Sequence, residues 1–200
     1  MPSWPTGSRH TQPLTKGTIL TVIDFSVTGL TSNGRGVAEH DGATWFVDDA
    51  LPGEIVRARI IGKRRRVRRA KTIITLQASP DRVAPRCEYF GVCGGCVMQH
   101  LSISGQLRHK RATVAAALER HRVEFDVDSI TDKSPNAWGY RRKGRLGVRY
   151  VPKKGGVLVG FREREKNYVT DIKQCHTLVA ELSSLLPRLK AQLQQITGRE

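Results

Sequence analysis

Apolar and polar residues alternate with the two-residue period of β-strands through the first part of the chain. Five runs rich in β-branched and aromatic residues follow residue 17, and turn-forming sequences such as Ser32-Asn33-Gly34 and Asp41-Gly42 separate them. Five short strands in so small a segment are typical of an OB-like β-barrel, a fold that binds oligonucleotides. The predicted strands are 18–24, 36–39, 44–47, 54–60 and 70–76.

A helical pattern follows further along the chain. Ser104 is a suitable N-cap, and the apolar spacing after it predicts a helix that ends near residue 120. Leu107, Val114 and Leu118 would lie on one face of this helix, where core packing is the simplest explanation for them.

The last part of the chain is predicted to form an antiparallel meander and a final helix. Strands are expected at 145–151, 157–162 and 168–172, with a turn at 152–156. The helix should cover 178–196 and be bent by Pro187, with an apolar face of Leu182, Leu185, Leu189 and Leu193. The fold class is therefore α+β, mainly β.

These elements divide the chain into three regions. Residues 1–15 contain three prolines and few apolar residues, which indicates a disordered tail. Residues 16–80 should form the barrel, and residues 81–200 should contain a cysteine loop, a helix and the meander.

The formal net charge of +16 points to a polyanionic partner. Residues 55–80 contain nine Lys or Arg and no acid, and residues 138–166 contain ten against two acids. Repulsion within such clusters is relieved by phosphates, which favours a nucleic acid over a merely solvated face. A nuclear-localisation signal or a patch for anionic membranes is the remaining alternative, and the absence of an amphipathic apolar face in the first cluster disfavours the membrane. The predicted nucleic-acid contacts are Lys63, Arg64, Arg65, Arg66, Arg68, Arg69, Lys71, Arg141, Arg142, Lys143 and Arg145.

Two aromatic residues, Trp138 and Tyr140, lie just before the second group of basic residues. Aromatic side chains among cations stack on unpaired bases in single-stranded nucleic-acid sites. Core packing explains the two residues equally well, and the sequence leaves both interpretations open.

Four cysteines are the chain's candidate metal ligands. The first 17 residues lack the apolar run of a signal peptide, so a cytoplasmic location is expected and disulfides are disfavoured. Three thiols in one loop with a distant fourth favour a [4Fe-4S] cluster, because all-cysteine ligation is its rule. Zinc remains an alternative, since His100 and His176 lie near cysteines. Buried free thiols are a further alternative. The four candidates are Cys87, Cys93, Cys96 and Cys175.

Several motifs resemble the N-terminal half of RNA uracil-5-methyltransferases. They are Cys87-Glu-Tyr-Phe-Gly-Val-Cys93-Gly-Gly-Cys96-Val-Met-Gln99-His100, Lys110-Arg111, Trp138-Gly-Tyr140-Arg-Arg142, Val159-Gly-Phe-Arg-Glu163 and Asp171-Ile-Lys-Gln-Cys175. The β-rich region before them resembles a TRAM domain, which points to the branch that methylates 23S ribosomal RNA. The resemblance implies that the four cysteines bind a [4Fe-4S] cluster.

The family's catalytic domain has no counterpart in the sequence. Members continue into a Rossmann-like domain that binds S-adenosylmethionine and supplies a nucleophilic cysteine and a base. This chain has no fifth cysteine and no glycine-rich cofactor loop. We therefore expect a truncated, monomeric portion that binds RNA and a cluster, with no catalytic or S-adenosylmethionine-binding residues of its own. The resemblance makes the whole protein an S-adenosylmethionine-dependent RNA (uracil-C5-)-methyltransferase, and the 200-residue chain should be inactive.

Two other functions fit part of the sequence. Radical methylthiotransferases also join a TRAM-like domain to a cluster, but their C-x3-C-x2-C motif differs from the C-x5-C-x2-C spacing here. A non-catalytic RNA-binding protein that contains zinc or a cluster is the other alternative.

Overall fold

The computed structural model describes residues 10–14, 18–64, 67–126, 129 and 136–197. The described chain forms two compact units. The first contains the described residues of Met1–Val83 and His100–Phe125, and the second contains those of Ala84–Gln99 and Asp126–Glu200. The helix expected after the cysteine loop therefore belongs to the same unit as the barrel, which the sequence did not predict.

Five strands of the first unit close into a barrel, as the alternating pattern predicts. The strands are β2 Thr18–Leu30, β3 Gly36–His40, β4 Ala43–Asp48, β5 Ile55–Arg64 and β6 Val67–Gln77. Their order in the barrel is β2-β3-β4-β6-β5, and β5 pairs back onto β2. The β4–β6 pair is parallel, and the other pairs are antiparallel. The predicted OB-like architecture is confirmed.

A sixth strand, β1 His10–Leu14, lies inside the predicted disordered tail. It pairs antiparallel with the first residues of β2, from His10 opposite Val22 to Leu14 opposite Thr18. Strand β5 begins to pair with β2 only at Val22, so the start of β2 has backbone groups that β1 can satisfy. The prediction of disorder is therefore wrong for residues 10–14. Strand β1 forms because β2 extends beyond the part that pairs with β5, and the composition of the tail does not show this.

Inward-facing residues of all five barrel strands form the barrel core. Phe25 and Val47 are fully buried, and the rings of Phe25 and Trp45 have centroids 5.3 Å apart. Burial of such aromatic and branched side chains supplies the main driving force for closing the barrel.

Helix α1 spans Ile103–Arg120, and its N-cap is Ser102 instead of the predicted Ser104. The Oγ atom of Ser102 accepts a hydrogen bond from Gly105 N and donates one to Asp81 Oδ1, each 3.0 Å long. The bond to Asp81 is a tertiary contact, so the local sequence pattern could not show that Ser102 is the N-cap. The expected core face is also wrong at Val114, which is 44% exposed.

The second unit contains the hairpin β7 Gly147–Val151 and β8 Gly156–Gly160 and the helix α2 Ala180–Thr197. The predicted third strand forms only partly. Thr170 N and Ile172 N donate to Phe161 O and Val159 O, but Val159 N donates to the carboxylate of Asp171 instead of returning a backbone bond.

Helix α2 packs on β8 through a face that matches the expected one only in part. Leu186 is buried and Leu182, a predicted member of the face, packs beside it, whereas the predicted Leu185 and Leu189 are exposed. The helix contains Pro187, as predicted. No helix in the described part of the chain is long and apolar enough to cross a membrane.

A buried carboxylate holds the end of the barrel together. Glu54 accepts hydrogen bonds from Leu51 N at 2.8 Å, from Ser79 N at 3.2 Å and from Arg82, whose Nη2 atom lies 2.8 Å away. Burial raises the pKa of Glu54, but the bonds from Arg82 and the two amides outweigh burial and hold the pKa below its ordinary value.

We predict that Glu54→Gln lowers the free energy of unfolding by roughly 2–3 kcal/mol, because Arg82 and two amides lose an anionic partner. The stabilisation from a depressed carboxyl pKa is complete above the pKa of an unfolded glutamate, about 4.3, and is lost as the pH falls through the lower folded pKa. Denaturant unfolding at several pH values should therefore show a smaller acid dependence below about pH 4 in the variant.

Glu39→Gln, at an exposed position of β3, is the matched control. It should leave both the unfolding free energy and its pH dependence near those of the unchanged protein. Equal effects of the two substitutions would contradict the role assigned to Glu54.

Candidate metal centre and nucleic-acid interface

Residues 87–96 fold into a compact loop through successive turns. Phe90 N donates to Cys87 O, and Val92 N and Cys93 N both donate to Tyr89 O. The loop then contacts the segment after β8, where Gly94 N donates to Arg162 O at 2.8 Å. A Cβ on residue 94 would lie 2.8 Å from that same oxygen, so only glycine allows this approach.

Cys175 is brought to this loop by the segment that follows the hairpin. Ile172 N donates to Val159 O of β8, and Lys173 N donates to the hydroxyl of Tyr89 at 3.2 Å. The amide of Cys175 is held by Ser183 Oγ of α2 at 2.9 Å. Contacts with three parts of the unit therefore fix the position of a residue that lies 79 positions after Cys96.

The four predicted cysteines line one cavity. Its volume is about 360 Å³, including the space at its mouth. Tyr89, Phe90, Phe161 and Ile172 form apolar parts of the wall. The four cysteines form no disulfide with one another, and Cys93 is the most buried of them.

The thiols influence one another electrostatically. Burial raises the pKa of Cys87 and of Cys93, and the nearby charges of the other thiolates raise both further. Four thiolates in this cavity would therefore need a cation to compensate them. Gly95 N, 3.4 Å from Cys93 Sγ, is a backbone donor to one sulfur.

The ligand set fits a sulfur-bound metal group but does not converge on one point. Among the described residues, no three His, Cys, Asp or Glu side chains are arranged to hold a single metal ion. His176 lines the cavity, and its ring packs edge-on against Trp138 with centroids 6.3 Å apart. His100 is buried in the first unit.

The first predicted group of RNA contacts is only partly described. Arg65 and Arg66 lie outside the described residues, and the structure gives the backbone but not the side chains of Lys63 and Arg64. The other three basic side chains have partners in the barrel. Arg68 lies over the Trp45 ring at 5.8 Å, Arg69 contacts Asp48 at 2.8 Å, and Lys71 lies 3.9 Å from Asp49.

Arg59, an exposed residue of β5 that is not among the predicted contacts, lies opposite Lys71 across the strand pair. Its strand alternates buried Val56 and Ala58 with outward-facing positions, so the two-residue period was a signal that could have identified it. Arg57, on the same strand, forms a two-point contact with Asp24.

The second predicted group of RNA contacts borders the cysteine cavity. Gly139 N donates to His176 O and Arg141 N donates to Thr177 O, so residues 139–141 run beside the residues that follow Cys175. The Arg141 guanidinium lies 5.4 Å from the ring centroid of Phe161, a wall residue of the cavity.

The other three basic residues of this group, Arg142, Lys143 and Arg145, are exposed. No carboxylate of the described residues forms an ion pair with any of them. Their charges are therefore available to an anionic partner.

The chain is similar to known proteins. Residues 13–73 match the TRAM domain. The 23S rRNA (uracil(1939)-C(5))-methyltransferase RlmD of Xanthomonas oryzae pv. oryzae is 42% identical over 182 residues, which make up 90% of this chain and 41% of that protein. RlmD of Xylella fastidiosa is 40% identical with the same coverage. The predicted resemblance is confirmed. The chain is similar to the N-terminal part of these methyltransferases and spans about two fifths of their length.

A solved structure shares the fold. The tRNA (uracil-54, C5)-methyltransferase of Pyrococcus abyssi, in complex with S-adenosyl-L-homocysteine, superposes with a TM-score of 0.60 and 22% sequence identity. The match covers 87% of this chain and 37% of that protein. None of these similarities favours a methylthiotransferase or a non-catalytic zinc protein.

Proposed function

We propose that this chain is the RNA-binding and metal-centre part of an S-adenosylmethionine-dependent methyltransferase that forms 5-methyluridine in 23S ribosomal RNA. The observation that carries the proposal is the alignment of 90% of the chain, at 42% identity, with a 23S rRNA uracil-C5 methyltransferase. The exposed cations beside the cysteine cavity support the RNA-binding part of the proposal.

The cavity is proposed to hold a [4Fe-4S] cluster through Cys87, Cys93, Cys96 and Cys175. A single zinc ion with bonds of about 2.3 Å would need sulfurs roughly 3.8 Å apart around one point. The described ligands have no such arrangement, although all four thiols share one cavity. A four-iron cluster takes one thiolate at each iron, which suits separated thiols. When bound, it would compensate part of the negative charge of the thiolates and connect the 87–96 loop to Cys175.

The protein residues around this centre are proposed to bind and orient RNA. Arg142, Lys143 and Arg145 are exposed and form no ion pair with a described carboxylate, so they can contact phosphates. Arg141 is held against Phe161, so the position of this segment depends on the wall of the cavity.

Methyl transfer itself is assigned to a part of the enzyme beyond these residues. The C5 atom of uracil becomes nucleophilic only after a thiolate adds at C6, and a base must later remove the C5 proton. All four cysteines of this chain line the one cavity, so none is left for that attack. The S-adenosylmethionine site and the nucleophile are proposed to lie in the part of the relatives' length that this chain does not span.

The metal assignment predicts about four irons per chain in protein purified without oxygen, together with broad thiolate-to-iron absorbance. Cys175→Ser should lose the cluster or make it labile, because one corner iron loses its thiolate. Iron analysis measures the iron content of each protein, and absorbance measures how much cluster remains. Lys173→Ser, at an exposed position of the same segment, is the control and should retain the iron. Stoichiometric zinc with negligible iron would contradict the assignment, and an equally stable cluster in Cys175→Ser would remove Cys175 from the ligand set.

The RNA assignment predicts that affinity for single-stranded RNA falls with salt, with a log–log slope of about −0.7 per contacted phosphate. Replacing Arg142, Lys143 and Arg145 with glutamine in one triple variant should reduce the magnitude of the slope by about 2. The control replaces Lys110, Arg111 and Arg120, three exposed cations of α1, and changes the net charge by the same amount. Equal slopes for the two triple variants would mean that net charge, and not local contact, determines binding.

The cysteine assignment also predicts that the 200-residue chain binds 23S ribosomal RNA but transfers no methyl group. Incubation with methyl-labelled S-adenosylmethionine should leave the RNA unlabelled, because no free thiol can attack C6 of uracil. The full-length Xanthomonas oryzae enzyme serves as the positive control for RNA and label. Label at C5 of uridine from this chain alone would overturn the assignment of all four cysteines to the metal centre.

A further inference from the structure

The structure separates the two aromatic residues that the sequence left undecided. Trp138 is half-buried, with its ring against the edge of His176 and the Arg86 guanidinium 5.5 Å from its centroid. Tyr140 is 56% exposed, and its hydroxyl forms no hydrogen bond with any described residue. Packing explains Trp138 but gives no reason for a large aromatic side chain at position 140.

The backbone on both sides of Tyr140 is fixed by three hydrogen bonds. Gly139 N donates to His176 O at 2.9 Å, Arg141 N donates to Thr177 O at 2.8 Å, and Val179 N donates to Arg141 O at 3.1 Å. Gly139 has a φ of +65°, a left-handed conformation that glycine adopts without strain. The exposed ring therefore projects from an ordered backbone, and little conformational entropy remains to be lost when a ligand contacts it.

The surroundings of Tyr140 in the sequence are strongly basic. Residues 136–145 contain four cations and no acid. The Arg141 guanidinium lies over the ring of Phe161, and no carboxylate of the described residues forms an ion pair with the other three. An exposed aromatic ring close to such cations is the combination with which proteins bind single-stranded RNA, because the ring stacks on a base and the cations contact phosphates.

We infer that Tyr140 is a stacking platform for one unpaired base of the bound RNA, with Arg142 and Lys143 on the adjoining phosphates. This inference rests on the proposed function and adds a contact with a base to the contacts with phosphates. Tyr168 provides a contrast within the same unit. It is 65% exposed, but its carbonyl accepts a hydrogen bond from Glu163 N, which places an acidic residue beside its backbone.

The test compares a fluorescent single-stranded RNA of about 12 nucleotides with the same RNA in abasic form, which keeps the phosphates but lacks the bases. Binding is measured by anisotropy at constant salt. Tyr140→Leu should reduce the preference for the base-containing RNA by about 5- to 150-fold. Its affinity for abasic RNA and its salt slope should not change, because no phosphate contact is lost.

Two further variants make the comparison specific. Tyr140→Phe keeps the ring and should keep the base preference, whereas Tyr168→Leu removes an exposed tyrosine elsewhere in the unit and should have no effect. The hydrogen bonds around residue 140 are between backbone atoms, so all variants should unfold at the same temperature as the unchanged protein.

The results separate this inference from the proposed function. If the unchanged protein binds neither RNA, RNA binding and the stacking inference both fail. If it binds RNA and Tyr140→Leu keeps the same base preference, the stacking inference alone is overturned. An equal loss of affinity for abasic RNA, or an equal loss in Tyr140→Phe, would also overturn it, because neither result comes from stacking on a base.

Discussion

The structure of the second unit depends on the contacts that hold Cys175 beside the 87–96 loop. That loop contains three of the four thiols that line the cavity, and the chain returns to it with the fourth. Much of the second unit is organised around this return. The β7–β8 hairpin carries the chain past the loop, Gly94 fixes the loop to Arg162, and Tyr89 binds the amide of Lys173. Helix α2 completes the arrangement, since Ser183 holds the amide of Cys175 and Lys190 contacts Asp171.

The same return positions the second group of basic residues. The carbonyls of His176 and Thr177, which directly follow Cys175, accept the hydrogen bonds that fix residues 139–141. A change at the cysteine cavity can therefore reach Tyr140 and Arg141 through two backbone hydrogen bonds. A cluster bound in the cavity, as proposed, would therefore influence the proposed RNA contacts through structure alone, without redox chemistry.

Sequence periodicity predicted the elements whose packing is local. The five barrel strands were found because inward and outward positions alternate within each strand. Features set by distant partners were missed. Strand β1 depends on the part of β2 that extends beyond β5, and the N-cap at Ser102 depends on Asp81. Leu186 lies on the buried face of α2 because β8 packs against that face. The motifs identified the four cysteines, but only the folded backbone shows that they line one cavity.

Formal charge in a sequence is not the same as charge available to a ligand. The two basic segments look nearly equivalent in the sequence, with net charges of +9 and +8. In the barrel, however, Asp48 at the end of β4 and Asp49 directly after it form ion pairs with Arg69 and Lys71 of β6, because β4 and β6 pair in parallel. A phosphate that approached Arg69 or Lys71 would have to compete with a carboxylate already in place. Arg142, Lys143 and Arg145 have no such competitor among the described residues, so a phosphate bound there, as proposed, would not have to displace a carboxylate.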